Sequence, residues 1–282
     1  MGLPPFSVRA RNTATDSANR IHSDEVARQY GFRGGLVPGV TVWAYLSHPV
    51  VQAWGRDWLE RGSMKARFLR PLYDGEEATV AATDAGAAID AGATQPDRLG
   101  PMTLALHDSA GELCATAEAS LGSEAGPGGG ATPMELMAGF AEAPLPSEPP
   151  AASAEVLEGL AVLGTHSVAF DASRARAYLD AIGEDLPVYR DQGLAHPGWL
   201  LHQANTALTR NVVLGPWIHA SSAVHNLEAV EDGARLSVRG RPKRVYERKG
   251  HRLVDLELLY VRDGSVPVMH VEHTAIYEPR TG

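Results

Sequence analysis

The chain has 282 residues, of which 44% are hydrophobic, and its formal net charge at pH 7 is −9. This length is long for one compact unit, so we expect two domains or one doubled fold. The negative charge argues against nucleic acid as a partner, because no overall field attracts phosphates. The single cysteine, Cys114, excludes an internal disulfide and a multi-cysteine metal site.

Membrane association is not expected from the hydropathy pattern. No window reaches the roughly 18 to 20 consecutive apolar residues of a membrane span. The N-terminal segment also lacks the long apolar core of a signal peptide. We therefore expect a cytoplasmic protein without a membrane partner.

The two halves of the chain repeat the same order of elements. The first half predicts a strand near residues 7–12, then the turn GLVPG at 35–39, then an apolar helix and strands joined at Asp74-Gly75. The second half predicts a strand near 165–170, the turn GLAHPG at 193–198, an apolar helix and strands joined at Asp232-Gly233. An Asp-Gly pair between alternating segments is typical of a tight turn between strands. Such internal repetition indicates a doubled fold.

The segment between the halves has the composition of a linker, since residues 123–153 are rich in Gly, Pro and Ala without a sustained helix or strand period. We therefore predict an N-terminal domain over 1–122, a linker over 123–153 and a C-terminal domain over 154–282. The predicted fold class is α+β, with two antiparallel sheets that each wrap a central helix.

One segment of the first half carries a recognisable motif. Asn19-x-x-His22-x-Asp24 is followed by Ala27, by Gly31-Phe32 and by the turn at 35–39. This run resembles the hydratase motif of the MaoC-like family, which contains R-specific enoyl-CoA hydratases and acyl dehydratases. The resemblance implies a double hotdog fold and an acyl-CoA-type substrate, with coenzyme A present only as part of that substrate and with no further cofactor. Exposed sheet edges also make a homodimer plausible.

The resemblance also implies roles for individual residues. His22 is the expected proton-transfer residue, because imidazole titrates near neutrality. Asn19 would orient His22 or the substrate. The oxyanion donor would be the backbone N–H of Gly39 at the start of the central helix, with Val40 as its neighbour, where unpaired amides favour negative charge. Pro38 and Val37 would complete this substrate-binding turn.

The motif departs from the family at one position. The family's catalytic aspartate would stand five residues before His22, where this chain has Ser17, with Asp16 beside it. A serine hydroxyl without an adjacent base cannot replace a carboxylate. Either Asp16 reaches the site, or His22 works alone while Ser17 holds a water, or no hydration occurs. Asp24 is expected to be structural, at the start of a helix.

The corresponding positions of the second half depart further. Tyr189 stands where the first half has His22, and Glu184 stands at the Ser17 position. We therefore expect a degenerate second site. His270 and His273 fall on opposite faces of a strand, so we predict no metal site.

The preferred hypothesis is a hydratase or dehydratase acting on an enoyl-CoA or 3-hydroxyacyl-CoA thioester. The alternative is a catalytically silent hotdog protein that binds an acyl thioester or a related ligand. A thioesterase is a third, less favoured hypothesis, because the motif is of the hydratase type.

Overall fold

The computed structural model describes residues 3–85, 101–122 and 132–280. In these ranges the strands are β1 (Phe6–Arg9), β2 (Gly62–Phe68), β3 (Glu77–Ala85), β4 (Met102–His107), β5 (Leu113–Leu121), β6 (His166–Ala169), β7 (Ile218–Asn226), β8 (Arg235–Arg248), β9 (His251–Arg262) and β10 (Val266–Glu278). The helices are α1 (Asp24–Gln29), α2 (Gly39–Arg61), α3 (Pro133–Ala138), α4 (Ala154–Gly159), α5 (Ala172–Ile182), α6 (Pro187–Asp191) and α7 (Pro197–Thr209), and a 3-10 turn covers Arg20–His22.

The strands form one continuous antiparallel sheet with the order β1-β3-β4-β5-β2-β7-β10-β9-β8-β6. The two halves meet where β2 pairs with β7, with Met64 opposite Val224 and Ala66 opposite Ser222. The prediction of two separate sheets is therefore corrected, because the inner edge of each half satisfies its backbone groups on the other half. The outer edges are the four-residue strands β1 and β6, and a homodimer through such an edge stays a prediction.

The long helix α2 and the shorter helix α7 pack against each other and against the strands of the sheet. Trp43, Tyr45 and Leu46 of α2 are almost completely buried. Leu201 and Leu208 of α7 are fully buried as well. Both helices are therefore core elements, and none of the helices in the described ranges has the length and apolarity needed to cross a membrane.

The segment between the halves has more structure than its composition predicted. Thr132 caps α3 by accepting a hydrogen bond from the backbone N–H of Glu135. Phe140 then packs against Leu259 and Val261 of β9. The prediction of a linker without a helix is therefore corrected for residues 132–153, while residues 123–131 lie outside the described residues. The predicted domain limits themselves stay a prediction.

Helix α2 contains a break whose backbone only glycine adopts easily. Gly55 has φ 57° and ψ −139°, and a Cβ there would meet open space. We expect Gly55→Ala to lower the free energy of unfolding by about 1–3 kcal/mol. The added methyl group meets no neighbour, so the whole loss comes from the backbone strain of alanine at this positive φ. Urea denaturation measures the loss. Gly215→Ala, at a position with equally open space and no positive φ, is the matched control and should leave the midpoint nearly unchanged.

Candidate active site

Asn19 ties the first half of the chain to the second. Its Oδ1 atom accepts hydrogen bonds from the backbone N–H of Ile21 (3.4 Å) and of Trp217 (3.1 Å). Its Nδ2 atom donates to the carbonyl oxygen of Trp217 at 2.9 Å. The same buried amide therefore caps the 3-10 turn and fixes that turn against the segment that leads into β7.

His22 lies at the end of this turn with a defined tautomer. Its Nδ1 donates to the carbonyl oxygen of Leu36 at 2.7 Å, so Nε2 carries the lone pair in the neutral ring. Nδ2 of Asn19 lies 3.3 Å from that Nε2. Burial lowers the pKa of His22, although the hydrogen bond to Leu36 partly opposes the shift. His22 is thus neutral at pH 7 and able to accept a proton.

The turn that follows is held by side chains of the same segment. Oδ1 of Asp24 accepts a hydrogen bond from the backbone N–H of Gly35 at 2.8 Å. Nδ2 of Asn12 donates to the carbonyl oxygen of His22 at 2.8 Å. Asp24 therefore supports the loop, which agrees with its expected structural role.

A cavity of about 220 Å³ opens at this place. Its wall brings together five of the residues singled out from the sequence, namely Asn19, His22, Val37, Pro38 and Gly39. Gly39 is the first residue of α2, where backbone amides have no acceptor within the helix. Apolar side chains form much of the remaining wall, including Phe32, Phe68, Trp217, Ile218 and Ile276.

Three other predicted residues lie outside the cavity. Its wall, as far as the described residues define it, includes neither Asp16 nor Ser17 nor Val40. Oγ of Ser17 accepts a hydrogen bond from the backbone N–H of Asn19 at 3.1 Å, and Asp16 is exposed. The hydroxyl of Ser17 is therefore used to shape the turn, and neither side chain takes the place of the family's aspartate beside His22.

The second half contributes polar residues that the sequence did not reveal. Asn205 of α7, His219 of β7 and His251 of β9 line the same cavity. Over the described ranges, the wall contains no aspartate or glutamate. His219 is 5% exposed, and burial followed by the proximity of His273 lowers its pKa well below the ordinary value. The cavity wall therefore contains three histidines, of which His22 and His219 are neutral through burial, and no carboxylate among the described residues.

The corresponding place in the second half is filled by protein. Glu184 lies between Nδ1 of His48 (3.0 Å) and Nε2 of His196 (3.2 Å). Nδ1 of His196 accepts the backbone N–H of Gly198 at 3.0 Å. A methyl group at Gly198 would lie 2.3 Å from the hydroxyl of Tyr178. The space beside the start of α7 is thus occupied by a tyrosine, and Tyr189 packs on the His196 ring with centroids 4.6 Å apart.

Comparisons with known proteins identify the fold. No protein-family model and no curated protein matches this chain. Among solved structures, a MaoC-like dehydratase is similar with a TM-score of 0.59 and 14% identity, over 97% of each chain. A protein from Chloroflexus aurantiacus described as a MaoC domain dehydratase is similar with a TM-score of 0.60 and 11% sequence identity, and the match covers 99% of this chain and 94% of the other. A conserved hypothetical protein from Mycobacterium tuberculosis with a double hotdog fold has a TM-score of 0.58 and 17% sequence identity, and the match covers 98% of this chain and 96% of the other. The chain therefore has the double hotdog fold of MaoC-like dehydratase structures.

The buried carboxylate of Glu184 should contribute strongly to stability. Burial disfavours its ionisation, but the hydrogen bonds from His196 and His48 outweigh this effect and lower the pKa of Glu184. We expect Glu184→Ala to lower the free energy of unfolding by about 2–4 kcal/mol at pH 7, because two buried donors lose their acceptor.

The pH dependence follows from the direction of that shift. The contribution of Glu184 is fully present above about pH 4.5, its ordinary pKa, and is lost as the pH falls through the lower pKa of the folded state. Urea denaturation at pH 7 and at lower pH measures the difference. Asp185→Ala, which removes an exposed neighbouring carboxylate, is the control; an equal loss in both variants would contradict the assignment.

Proposed function

We propose that this protein is a hydratase or dehydratase that acts on an acyl thioester of the enoyl-CoA or 3-hydroxyacyl-CoA type. The observation that carries the proposal is the shared cavity, whose wall contains both the neutral ring of His22, with Nε2 engaged only by a long contact from Asn19, and Gly39 at the start of α2. The double hotdog fold and the motif at 19–39 support the same reaction class.

The proposed chemistry needs one proton carrier. A water molecule displaces the long contact between Asn19 and His22, and its oxygen adds to the β-carbon while Nε2 of His22 takes its proton. The electron pair of the double bond moves onto the thioester oxygen, where the N–H of Gly39 stabilises the charge. His22 then returns the proton to the α-carbon, and dehydration follows the same path backwards. A balanced cycle of this kind requires no second acid.

The cavity favours a short acyl chain. Its volume of about 220 Å³ lies below the roughly 300–1,000 Å³ typical of pockets for drug-sized ligands. Phe32, Phe68 and Ile276 present apolar surface to the acyl group. The coenzyme A portion would remain outside the cavity. We therefore propose short-chain enoyl thioesters as the substrate class.

A catalytically silent binding protein is the second candidate. The observation that favours it is the wall without aspartate or glutamate among the described residues, since Ser17 is used in the turn at Asn19. Such a protein would bind the same thioester without turnover. The two candidates differ only in what His22 does.

Crotonyl-CoA tests the proposal directly. We expect the wild-type protein to hydrate it, measured as loss of the enoyl absorbance, and we expect His22→Ala to reduce kcat about 10²–10⁴-fold because the proton carrier is lost. His107→Ala is the control, since this half-buried histidine of β4 lies outside the cavity wall. Free thiol is measured in parallel, because thioester hydrolysis would release coenzyme A while the buried Cys114 contributes little.

The outcomes separate the candidate functions. Binding of crotonyl-CoA without loss of absorbance across several chain lengths would favour the silent binding protein. Thiol release at the rate of substrate loss would indicate a thioesterase. Either result would overturn the hydratase proposal.

The pH profile of hydration should reflect the environment of His22. Burial lowers the pKa of His22 from its ordinary value of 6.5, and only the neutral ring accepts a proton. We therefore expect kcat/KM to remain constant through neutral pH and to fall only at a pH below about 6.5, as His22 becomes protonated. A rate profile whose acidic limb lies above pH 6.5 would assign the limb to another group.

A further inference from the structure

His219 lies directly against the start of α2. A methyl group added at Gly39 would fall 2.8 Å from Nδ1 of His219. The ring of Phe68 meets the ring of His219 edge-on, with centroids 4.7 Å apart. Within the described structure, Nδ1 of His219 is buried and has no hydrogen-bond partner. One nitrogen of a cavity-lining histidine therefore has no partner among the described residues and lies close to Gly39.

The other nitrogen of His219 belongs to a buried chain of hydrogen bonds. Nε2 lies 2.8 Å from Oγ of Ser222, and that oxygen lies 3.0 Å from Nδ1 of His273. His273 is completely buried, and burial lowers its pKa to about 3. His219, Ser222 and His273 are consequently all neutral. The hydrogen bonds that connect them can run in either of two directions, from His219 to His273 or from His273 to His219.

The positions of the two rings relative to the cavity distinguish these directions. If Nε2 of His219 donated to Ser222 and Ser222 to His273, Nε2 of His273 would carry a buried N–H without an acceptor, because that atom has no partner among the described residues. In the opposite direction, Nε2 of His273 is a bare acceptor and the unpaired N–H lies on Nδ1 of His219. Either direction leaves one ring N–H without an acceptor among the described residues. His219 belongs to the cavity wall and His273 does not, so only the second direction leaves that N–H on a residue that a bound molecule can reach.

We propose that His219 donates its Nδ1–H to the thioester carbonyl oxygen and forms, with the N–H of Gly39, a two-donor oxyanion site. This inference rests on the proposed function and assigns a catalytic residue to the second half of the chain. Ser222 and His273 are positioning residues that fix the tautomer. No proton leaves His219 in this role, so the proton balance carried by His22 is unchanged.

The assignment explains how a cavity without a carboxylate stabilises developing charge. A neutral imidazole, whose pKa is lowered by burial, donates a hydrogen bond to the developing oxyanion. A protonated imidazolium at the same place would be acidic enough to transfer its proton to the enolate. The amide of Gly39 and the ring of His219 come from different halves and meet at one point. Both donors are fixed in place, one by helix α2 and the other by strand β7 and Ser222.

Acetoacetyl-CoA is the probe, because its enolate has an ultraviolet band of its own and resembles the charged intermediate. We expect the wild-type protein to stabilise the bound enolate and to increase this band near neutral pH. His219→Leu should abolish the increase and reduce kcat for crotonyl-CoA about 10²–10³-fold, with a smaller change in KM. His219→Asn, which can place an amide N–H near the position of Nδ1, should restore part of both signals.

Two further variants keep the test independent of folding defects. Ser222→Ala removes the group that fixes the tautomer and lies outside the cavity wall, so we expect a smaller loss of the band and of kcat than in His219→Leu. His225→Leu, on the same strand and also outside the wall, is the control and should match the wild type. Thermal unfolding of each variant establishes that it is folded.

The results distinguish this inference from the proposed function. If the wild-type protein gives the enolate band and His219→Leu removes it, the inference is supported. If the wild-type protein also fails to hydrate any enoyl-CoA, only the hydratase function is overturned. A folded His219→Leu variant that equals the wild type in both band and kcat would overturn the inference and leave the hydratase function standing. A wild-type protein that gives no enolate band would overturn it too.

Discussion

The paired hydrogen bonds between the side-chain amide of Asn19 and the backbone of Trp217 hold the candidate site together. They connect groups 198 residues apart in sequence. His22 follows Asn19 in the same turn, and His219 lies two residues after Trp217, within β7. One contact thus positions the proposed proton carrier from one half and the proposed oxyanion donor from the other. An amide is required because it must donate to one backbone group and accept from the other, which a carboxylate of the same shape cannot do.

The candidate site and its counterpart differ in their electrostatics. In the cavity, burial keeps His22 and His219 neutral, and the first amides of α2 supply partial positive charge. At the counterpart, His48 of α2 and His196 of the second half surround the buried carboxylate of Glu184 and stabilise its charge. The first arrangement suits a negative charge that develops during a reaction. The second already contains its negative charge and therefore acts as a structural contact between α2 and the segment before α7.

Local patterns in the sequence predicted the doubled fold and part of the site. The repeated turns and Asp-Gly pairs identified the two halves, and the motif correctly brought His22, Asn19 and Gly39 to one place, since all three belong to one continuous segment. The joined sheet was missed because the pairing of β2 with β7 is non-local. His219 was missed for the same reason, since a histidine in an alternating strand gives no sign of whether it faces a cavity or the core. The roles of Asp16 and Ser17 depended on the direction of a short turn, which spacing alone does not determine.

The tyrosine hydroxyl that occupies the space beside Gly198 makes the two halves of this duplicated fold unequal. The start of α2 at Gly39 borders a cavity, whereas the start of α7 at Gly198 borders packed protein. Residues of the second half thus enter the neighbouring cavity as part of its wall. Substitutions in β7 or α7 can therefore change the shape and polarity of the cavity without any change in the segment that carries the motif.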